Sequence, residues 1–372
     1  MTTTDERRRV LRNERRTGAV SAVDPDDVLT FHRSLTGYAP TALVASPELA
    51  VRLGVAEVWV KDESNRFGMP SFKILGASYA TFRELCSRAG VDPARVDGLV
   101  GLRSIVEPLG LTLVAATDGN HGRAVARMAA YLGLAAHILV PEDMVPARIT
   151  ALENEGAQVT VVTGNYDDAV AQSARLQDER TVVVSDTSWE GYERVPGWVI
   201  DGYATIGAEV HAQLEVCGAL PPTVVAAQIG VGAFAASVVR AFVPGGARVI
   251  GVEPTKADCV LQSVRAGRPI QIEGALDSIM AGLNCGSPSP VAWTDVLAGI
   301  DSFVAVDDSD AENAMRALAR AGVVSGESGA AGLAGLLAFA EELELASDDR
   351  ILVISTEGAT DPAAYDRIVR GS

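Results

Sequence analysis

The sequence VVAAQIGVGAFA, at residues 224–235, is the most informative part of this chain for its fold. Its apolar first half, 224–229, predicts a buried strand, the glycines predict a tight turn, and 233–242 predicts a helix. A strand that passes through glycines into a helix leaves backbone N–H groups where they can hold a phosphate. The stretch also satisfies the dinucleotide pattern G-x-G-x-x-A, with Glu253 about 20 residues further on. A dinucleotide and another phosphate-bearing cofactor both remain open at this point.

Strand-like and helix-like segments alternate on both sides of this stretch. The predicted strands are 58–60, 113–116, 136–140, 159–162, 182–184, 224–229, 249–252 and 351–355. The predicted helices are 71–85, 121–132, 145–155, 167–176, 233–242, 311–319 and 330–342. Such alternation indicates an α/β fold with parallel sheets covered by helices. Because 372 residues exceed one compact core, we expect a small domain at 76–189, inserted into a large domain formed by 1–75 and 190–372.

Composition excludes several classes of function. The net charge of −17 argues against nucleic acid or an anionic membrane as a partner, because both need a basic face. Residues 1–16 lack the apolar segment of a secretory signal, and the apolar stretch 224–239 is too short to span a bilayer, so we expect a cytoplasmic enzyme. The cysteines and histidines lack metal-site spacing, and we expect no metal.

Lysine occurs only at Lys61, Lys73 and Lys256, so chemistry that needs a primary amine has three candidates. Lys73 follows a turn-rich segment and opens an apolar helix, where partial desolvation would make its amine a usable nucleophile. The alternative is a lysine that extends to solvent from a helix start, and on this motif alone that alternative is favoured. Lys61, beside Asp62 and Glu63, is expected in a surface charge pair, and Lys256 in a solvated loop.

The sequence TDGNHG, at 117–122, joins a predicted strand to a helix. Asn120 can donate to an oxygen of a ring or a carboxylate, and backbone N–H groups at the helix start favour an anion. Alternatively, Asp118 and Asn120 merely cap the helix. Capping alone does not require two glycines, and we therefore favour a ligand-binding turn.

Two further strand ends carry polar side chains. Thr356 follows the last predicted strand, where its hydroxyl can serve a ring nitrogen; the alternative is an ordinary turn residue. Asp186 follows the strand that ends the small domain, and it is a candidate base or a contact for a substrate amino group. A loop aspartate is more often a cap or a turn residue. Cys259 and Cys285 fall in the same domain, and two thiols are the expectation for a cytosolic protein.

Taken together, these segments resemble the β-family (fold type II) of pyridoxal-phosphate (PLP) enzymes and, within it, the diaminopropionate ammonia-lyase family. The resemblance spans most of the chain. Its most specific motifs are WEGY at 189–192 and AGLNCG at 281–286, which serine and threonine dehydratases of the same fold are not expected to carry. Ala42 departs from the family, which usually has proline there. The resemblance implies two three-layer αβα domains with mainly parallel sheets, and a homodimer.

The resemblance also implies roles for individual residues. Lys73 carries PLP as a Schiff base, and the substrate lies between Asp118 and Asp186. The remaining implied contacts are Phe72 near the cofactor ring, Asn120 at its phenolic oxygen, Gly230, Val231, Gly232 and Ala233 at its phosphate, and Thr356 at its pyridine nitrogen. A local disulfide between Cys259 and Cys285 is implied as well.

The implied reaction is the elimination of both amino groups of 2,3-diaminopropionate, D or L, as ammonia to give pyruvate. Lys73 is the expected base for the L isomer and Asp118 for the D isomer, while Asp186 or Asp118 holds the β-ammonium group. The alternatives are a serine or threonine dehydratase of the same fold, an NAD-dependent dehydrogenase built on 230–235, and a PLP-binding regulator without activity. Intact Lys73, Asp118 and Asp186 argue against the regulator.

Overall fold

A computed structural model describes residues 9–117 and 119–371 and divides them into two compact units. The larger unit contains residues 9–23, 40–72 and 206–371. The smaller unit contains Asp24–Ala39 and Lys73–Thr205. The sequence placed the small domain at 76–189, whereas the smaller unit begins at Lys73, extends to Thr205 and also includes the segment before residue 40.

The larger unit is built on a seven-stranded sheet. Its strands are β1 (Arg9–Arg12), β2 (Leu43–Ala45), β3 (Glu57–Asp62), β8 (Val224–Gln228), β9 (Arg248–Pro254), β10 (Ile300–Val306) and β11 (Arg350–Ser355), in the spatial order β1-β10-β9-β8-β11-β3-β2. The five central strands are parallel, and β1 and β2 close the two edges in antiparallel pairing. Every residue of β8 is buried, which is typical of a parallel strand covered on both faces.

The helices of the larger unit are α2 (Pro47–Leu53), most of α9 (Ala204–Cys217), α10 (Ala233–Phe242), α11 (Cys259–Ala266), α12 (Pro290–Gly299), α13 (Asp308–Arg320), α14 (Glu327–Ala338) and α15 (Pro362–Arg370). Helix α14 packs on the sheet beside β8, β9, β10 and β11. Gly335 allows this approach, because a Cβ there would lie 2.6 Å from Cγ2 of Val252.

The smaller unit is built on a four-stranded parallel sheet. Its strands are β4 (Thr112–Ala116), β5 (Ala135–Pro141), β6 (Gln158–Val162) and β7 (Thr181–Val183), in the order β6-β5-β4-β7. Its helices are α1 (Pro25–Ser34), α3 (Lys73–Ala89), α4 (Gly98–Val106), α5 (Asn120–Leu132), α6 (Pro146–Asn154), α7 (Tyr166–Ala174) and α8 (Arg194–Gly202). Strand β7 is an edge strand, and the segment that contains Asp186 follows it.

The contact between α3 and α8 explains why the smaller unit extends beyond residue 189. A Cβ on Gly76 would lie 2.5 Å from the ring of Tyr203, and one on Gly202 would lie 2.6 Å from the carbonyl oxygen of Leu75. Real Cβ atoms do not approach other atoms so closely, so glycine is required at both positions. The two helices therefore pack backbone to backbone.

The predicted α/β fold with mainly parallel sheets is confirmed, and each predicted strand and helix has a counterpart. Helix α3 begins at Lys73 and not at Ser71, because Ser71 forms a β-bridge with Glu357. The sequence did not predict the antiparallel edge strands β1 and β2. Among the described residues, no helix is long and apolar enough to cross a membrane.

Candidate active site

The three residues before Lys73 are paired with the strand end that carries Thr356. The backbone N–H of Phe72 donates to the carbonyl of Thr356 at 3.2 Å, and the N–H of Gly358 donates to the carbonyl of Pro70 at 2.9 Å. These bonds, with the Ser71 bridge, lie within the larger unit and fix the backbone up to Phe72. Lys73, the next residue, is the first of α3 and of the smaller unit.

A tight turn precedes this paired segment. Arg66 and Met69 exchange two backbone hydrogen bonds of 2.9 Å, and the two residues between them have positive φ angles, 55° at Phe67 and 72° at Gly68. Turns of this geometry favour glycine, which adopts positive φ without a steric cost. The turn thus returns the chain toward the strand end of Thr356, in agreement with the turn-rich segment expected before Lys73.

Lys73 and Asp186 form a direct ion pair within the smaller unit. The Nζ atom of Lys73 lies 2.6 Å from Oδ2 of Asp186, and the hydroxyl of Tyr166 donates to Oδ1 at 3.1 Å. Burial alone would raise the pKa of the Asp186 carboxyl, but Lys73, His121 and the hydrogen bond from Tyr166 outweigh it and hold this pKa well below its usual range. Asp186 is therefore an anion that faces an amine, and not merely a turn residue.

His121 completes the surroundings of this carboxylate. Its Nε2 lies 2.8 Å from the carbonyl oxygen of Val184, and its Nδ1 lies 3.9 Å from Oδ2 of Asp186. A carbonyl only accepts, so Nε2 carries the proton and Nδ1 faces the carboxylate. Sequence reasoning assigned no role to His121, although this residue belongs to the TDGNHG motif. No local sequence pattern indicates a role for Tyr166, which is simply the first residue of α7.

The TDGNHG turn is organised by Thr117, whose Oγ1 accepts from the N–H groups of Gly119 at 2.9 Å and Gly122 at 3.0 Å. Gly119 has a φ of 142°, and a Cβ on Gly122 would lie 2.4 Å from Cγ2 of Thr117. Backbone conformation and packing therefore account for both glycines, and the ligand-binding role of this turn stays a prediction. Asn120 begins α5, and Asp118 lies outside the described residues.

The predicted phosphate cradle, residues 230–233, connects β8 to α10. Gly232 occupies the N-cap position of α10 with a φ of 100° and, as a glycine, supplies no capping side chain. A Cβ on Gly230 would lie only 3.2 Å from Sγ of Cys285. The uncapped N-terminus that begins at Ala233 is suited to a phosphate group.

Glu253 removes the main support for a dinucleotide. Its buried carboxylate accepts from the backbone N–H groups of Val260 at 2.8 Å and Leu261 at 2.7 Å, at the start of α11. Burial raises the pKa of this group well above its usual range. A carboxylate committed to a helix N-terminus is not available for a ribose hydroxyl, as a dinucleotide site requires.

Thr356 has the hydrogen bonding that a neutral ring nitrogen requires. Nε2 of Gln228 donates to Oγ1 of Thr356 at 2.7 Å, and this leaves the hydroxyl proton of the threonine for another acceptor. Within the same unit, the rings of Phe72 and Phe234 pack with their centroids 4.8 Å apart. A phosphate cradle, a hydroxyl donor and an apolar ring surface fit PLP.

The two cysteines of the AGLNCG and α11 segments lie beside the cradle. Sγ of Cys259 is 3.9 Å from the carbonyl oxygen of Gly230, and Cys285 is the residue that a Cβ on Gly230 would meet. The structure holds both residues as thiols, as the argument from the residues expected, and not as the disulfide that the resemblance implied. Among the described residues, no group of three or more histidine, cysteine, aspartate or glutamate side chains could hold a metal ion.

The expectation for Lys61 was wrong. Its side chain is fully buried, and Nζ contacts Oε2 of Glu209 at 2.7 Å, the carbonyl of Thr41 and Oε1 of Gln213, both at 2.9 Å. The same glutamate pairs with Arg66 at 2.7 Å. The neighbouring acidic residues misled the sequence analysis, because the partner that decides the burial lies 148 residues away.

Lys256 is partly exposed, as expected, and pairs with Asp308 at 3.1 Å and Asp277 at 3.3 Å. Its side chain retains 43% of its exposure. Of the three lysines, therefore, Lys73 alone is near a buried carboxylate and still partly accessible, at 20% exposure.

Comparison with known proteins gives concordant matches. A family of pyridoxal-phosphate dependent enzymes matches residues 35–357. The diaminopropionate ammonia-lyase of Escherichia coli K12 is 39% identical over 358 residues, which cover 91% of this chain and 89% of that protein. The crystal structure of the E. coli diaminopropionate ammonia lyase in complex with D-serine matches with a TM-score of 0.90 at 36% identity, covering 98% of this chain and 97% of that chain. An L-threonine ammonia-lyase of Thermotoga maritima is 29% identical over 69% of this chain and 61% of that protein.

Proposed function

The chain belongs to the fold type II pyridoxal-phosphate dependent enzymes and, within them, to the diaminopropionate ammonia-lyases, and from this we infer that it is a carbon–nitrogen lyase acting on 2,3-diaminopropionate. It removes both amino groups of the D and L isomers as ammonia and releases pyruvate. The observation that carries this proposal is the Lys73–Asp186 pair, with its Nζ–Oδ2 distance of 2.6 Å.

The proposed roles in cofactor binding fall on the residues that the resemblance indicates. Lys73 attaches PLP covalently, and the N–H groups of the 230–233 cradle bind its phosphate. Thr356 donates to the pyridine nitrogen, Phe72 packs near the ring and Asn120 contacts the phenolic oxygen. The bond from Gln228 to Thr356 supports this assignment, because it orients the threonine hydroxyl as a donor. When bound, PLP withdraws electrons from the α-carbon of an amino acid substrate.

Asp186 gives the site its preference for a diamine. In the structure its carboxylate binds one ammonium group, that of Lys73. With the Lys73 amine neutral, as its role as a base requires, the same carboxylate would be available to bind the β-ammonium group of the substrate and orient it for departure. Tyr166 and His121 keep the carboxylate ionised during this exchange. A dehydratase substrate has a neutral hydroxyl at this position and does not need such an anion.

Removal of the α-proton from two isomers requires bases on opposite faces of the substrate. We assign Lys73 to the L isomer and Asp118 to the D isomer. Asp118→Asn should therefore reduce turnover of D-diaminopropionate much more than that of the L isomer, measured as pyruvate release. Equal losses on both isomers would refute the two-base assignment.

The substrate is tested by pyruvate release from D- and L-diaminopropionate and from D- and L-serine. Diaminopropionate should be the better substrate, and faster turnover of serine than of either diaminopropionate isomer would identify a dehydratase. The purified protein should show a visible absorption band that borohydride abolishes. A colourless protein that does not take up PLP would contradict the cofactor assignment. We further propose that the enzyme is a cytoplasmic homodimer. Analytical ultracentrifugation tests whether it is a dimer.

A further inference from the structure

The WEGY turn, residues 189–192, lies close to Asp186 in sequence but has no part in the mechanism above. Trp189 and Tyr192 exchange two backbone hydrogen bonds. The N–H of Tyr192 donates to the carbonyl of Trp189 at 2.9 Å, and the N–H of Trp189 donates to the carbonyl of Tyr192 at 3.4 Å. Gly191 supplies the positive φ of 81° that the turn needs. The two aromatic rings stack with centroids 4.1 Å apart and an interplanar angle of 10°. Turn and stack together fix the direction of the tyrosine ring.

The hydroxyl of Tyr192 binds the backbone just before Asp186. It donates to the carbonyl of Val183 at 2.7 Å and accepts from the N–H of Ser185 at 3.1 Å. The intervening Val184 points its N–H the other way, to the carbonyl of Val114 on β4 at 2.8 Å. Because β7 is an edge strand, the tyrosine hydroxyl satisfies backbone groups that a neighbouring strand would otherwise pair.

The backbone leading to Asp186 is consequently held from both sides. The carbonyl of Val184 is held by His121, and the groups on either side of Val184 are held by Tyr192. Asp186 follows Ser185 directly, and its carboxylate must lie within hydrogen-bond reach of an amine. A shift of about 1 Å at such a position costs roughly 100-fold in rate.

We propose that the WEGY turn is the positioning element for Asp186, and that Tyr192 acts through the backbone of Val183 and Ser185 to place this carboxylate for the substrate's second amino group. The proposal rests on the proposed function. Burial raises the pKa of the Tyr192 hydroxyl, so it remains a donor to Val183 throughout the neutral range.

The first test uses the apo protein and needs no turnover. PLP attaches to the neutral amine of Lys73, whereas the Asp186 carboxylate stabilises the protonated amine. The pH midpoint of PLP attachment, measured by the yellow absorbance, therefore reports how close the Asp186 carboxylate lies to the Lys73 amine. The titratable groups that face Asp186 are Lys73, His121, Tyr166 and Tyr203. Asp186→Asn should lower this midpoint by about 1–2 pH units. Tyr192→Phe should lower it by roughly half a unit, and adding it to Asp186→Asn should change nothing further.

The second test uses turnover. Tyr192→Phe should raise the KM for diaminopropionate about 5- to 10-fold, with a change of less than about 2-fold for serine, because only the diamine depends on Asp186. Tyr365→Phe is the control, since Tyr365 has the same 8% exposure as Tyr192 but lies in the larger unit. This control should leave both readouts unchanged. If Tyr192→Phe does not fold, Trp189→Leu removes the stacked ring and should shift the same readouts in the same direction.

Equal effects of Tyr192→Phe with and without Asp186 would overturn the proposal, as would an unchanged pH midpoint in a folded variant. Failure of the proposed function gives a different result. In that case the wild-type protein does not turn over diaminopropionate, while the pH midpoints of PLP attachment still decide whether Tyr192 acts through Asp186.

Discussion

Two buried lysine–carboxylate pairs, one in each unit, have nearly the same geometry and opposite properties. Lys73 lies 2.6 Å from Asp186 and Lys61 lies 2.7 Å from Glu209. Lys61 is fully buried, and three acceptors satisfy its three ammonium protons. Lys73 retains 20% exposure. The Lys61 pair is closed and can only stabilise the larger unit, whereas the Lys73 pair is open to exchange its partners.

The two carboxylates, Glu209 and Asp186, also differ in the groups that surround them. Glu209 is shared between Lys61 and Arg66, and Arg66 also pairs with Glu63 at 2.7 Å. Two cations and two anions thus neutralise one another inside the protein. Asp186 instead receives a tyrosine hydroxyl and lies near a histidine, and its cationic partner, Lys73, is partly exposed. The distance of an ion pair therefore says less about function than the exposure of its members, which is 0% for the Lys61 side chain and 20% for that of Lys73.

Replacing Lys73 should have the largest effect. Lys73→Ala removes both the amine that binds the cofactor and a proton-transferring group, so activity should fall by at least about 10⁴-fold. The visible band that borohydride abolishes should disappear. If the variant kept turnover within about 10-fold of the wild type, Lys73 would take no part in the chemistry, as we expect for Lys61.

Breaking the closed pair should affect stability first. Lys61→Met leaves Glu209 with Arg66 as its remaining cation, and we expect a loss of about 3 kcal/mol, the lower end of the cost of removing one partner of a buried ion pair. Denaturant unfolding of the cofactor-free protein measures it. The folded variant should still take up PLP; failure to do so at low temperature would mean that the Lys61 cluster serves the site directly.

Neutralising Asp186 should have an intermediate and selective effect. Asp186→Asn removes the charge but keeps the shape, so kcat/KM for diaminopropionate should fall about 10- to 100-fold and that for serine less than about 3-fold. Parallel loss on both substrates would show that Asp186 acts on the cofactor or the fold and not on the second amino group.

The open pair should also survive across the neutral pH range. Because the folded pKa of Asp186 is depressed, the stability it contributes is present above the pKa of an unfolded aspartate, about 4, and disappears as pH falls through the folded value. The difference in unfolding free energy between wild type and Asp186→Asn should be flat from about pH 6 to 8 and should shrink below about pH 4. A steep change near neutrality would point to His121 instead.

Replacing Lys256, the third lysine, should have the smallest effect of the three. Lys256 pairs with Asp308 and Asp277 at an exposed position, where ion pairs contribute about 0–1 kcal/mol. Lys256→Met should therefore change neither the unfolding free energy beyond that range nor the activity. It is the matched control for Lys61→Met, and a larger loss of stability would mean that exposure alone does not separate the lysines.

Local patterns predicted much of the fold. The strand, glycine turn and helix at 224–242 are encoded by neighbouring residues, and β8 and α10 occur within one residue of their predicted limits. Strand β1 was not predicted, because its four residues, RVLR, carry no local strand pattern and gain their structure only by pairing with β10. The start of α3 at Lys73 likewise depends on Glu357, far away along the chain.

The sequence by itself determined the candidates for the chemistry: three lysines, two strand-end aspartates and a glycine-rich turn that suits a phosphate. Residue type limits what a side chain can donate, accept or carry, and this can be known before folding. Only the tertiary structure decided which lysine is buried and which is partly exposed, because each pairs with a carboxylate far away along the chain, at 148 residues for Lys61 and 113 for Lys73. It also revealed Tyr166, His121 and Tyr192 around Asp186, since hydrogen bonds depend on position in space and not on proximity in the chain.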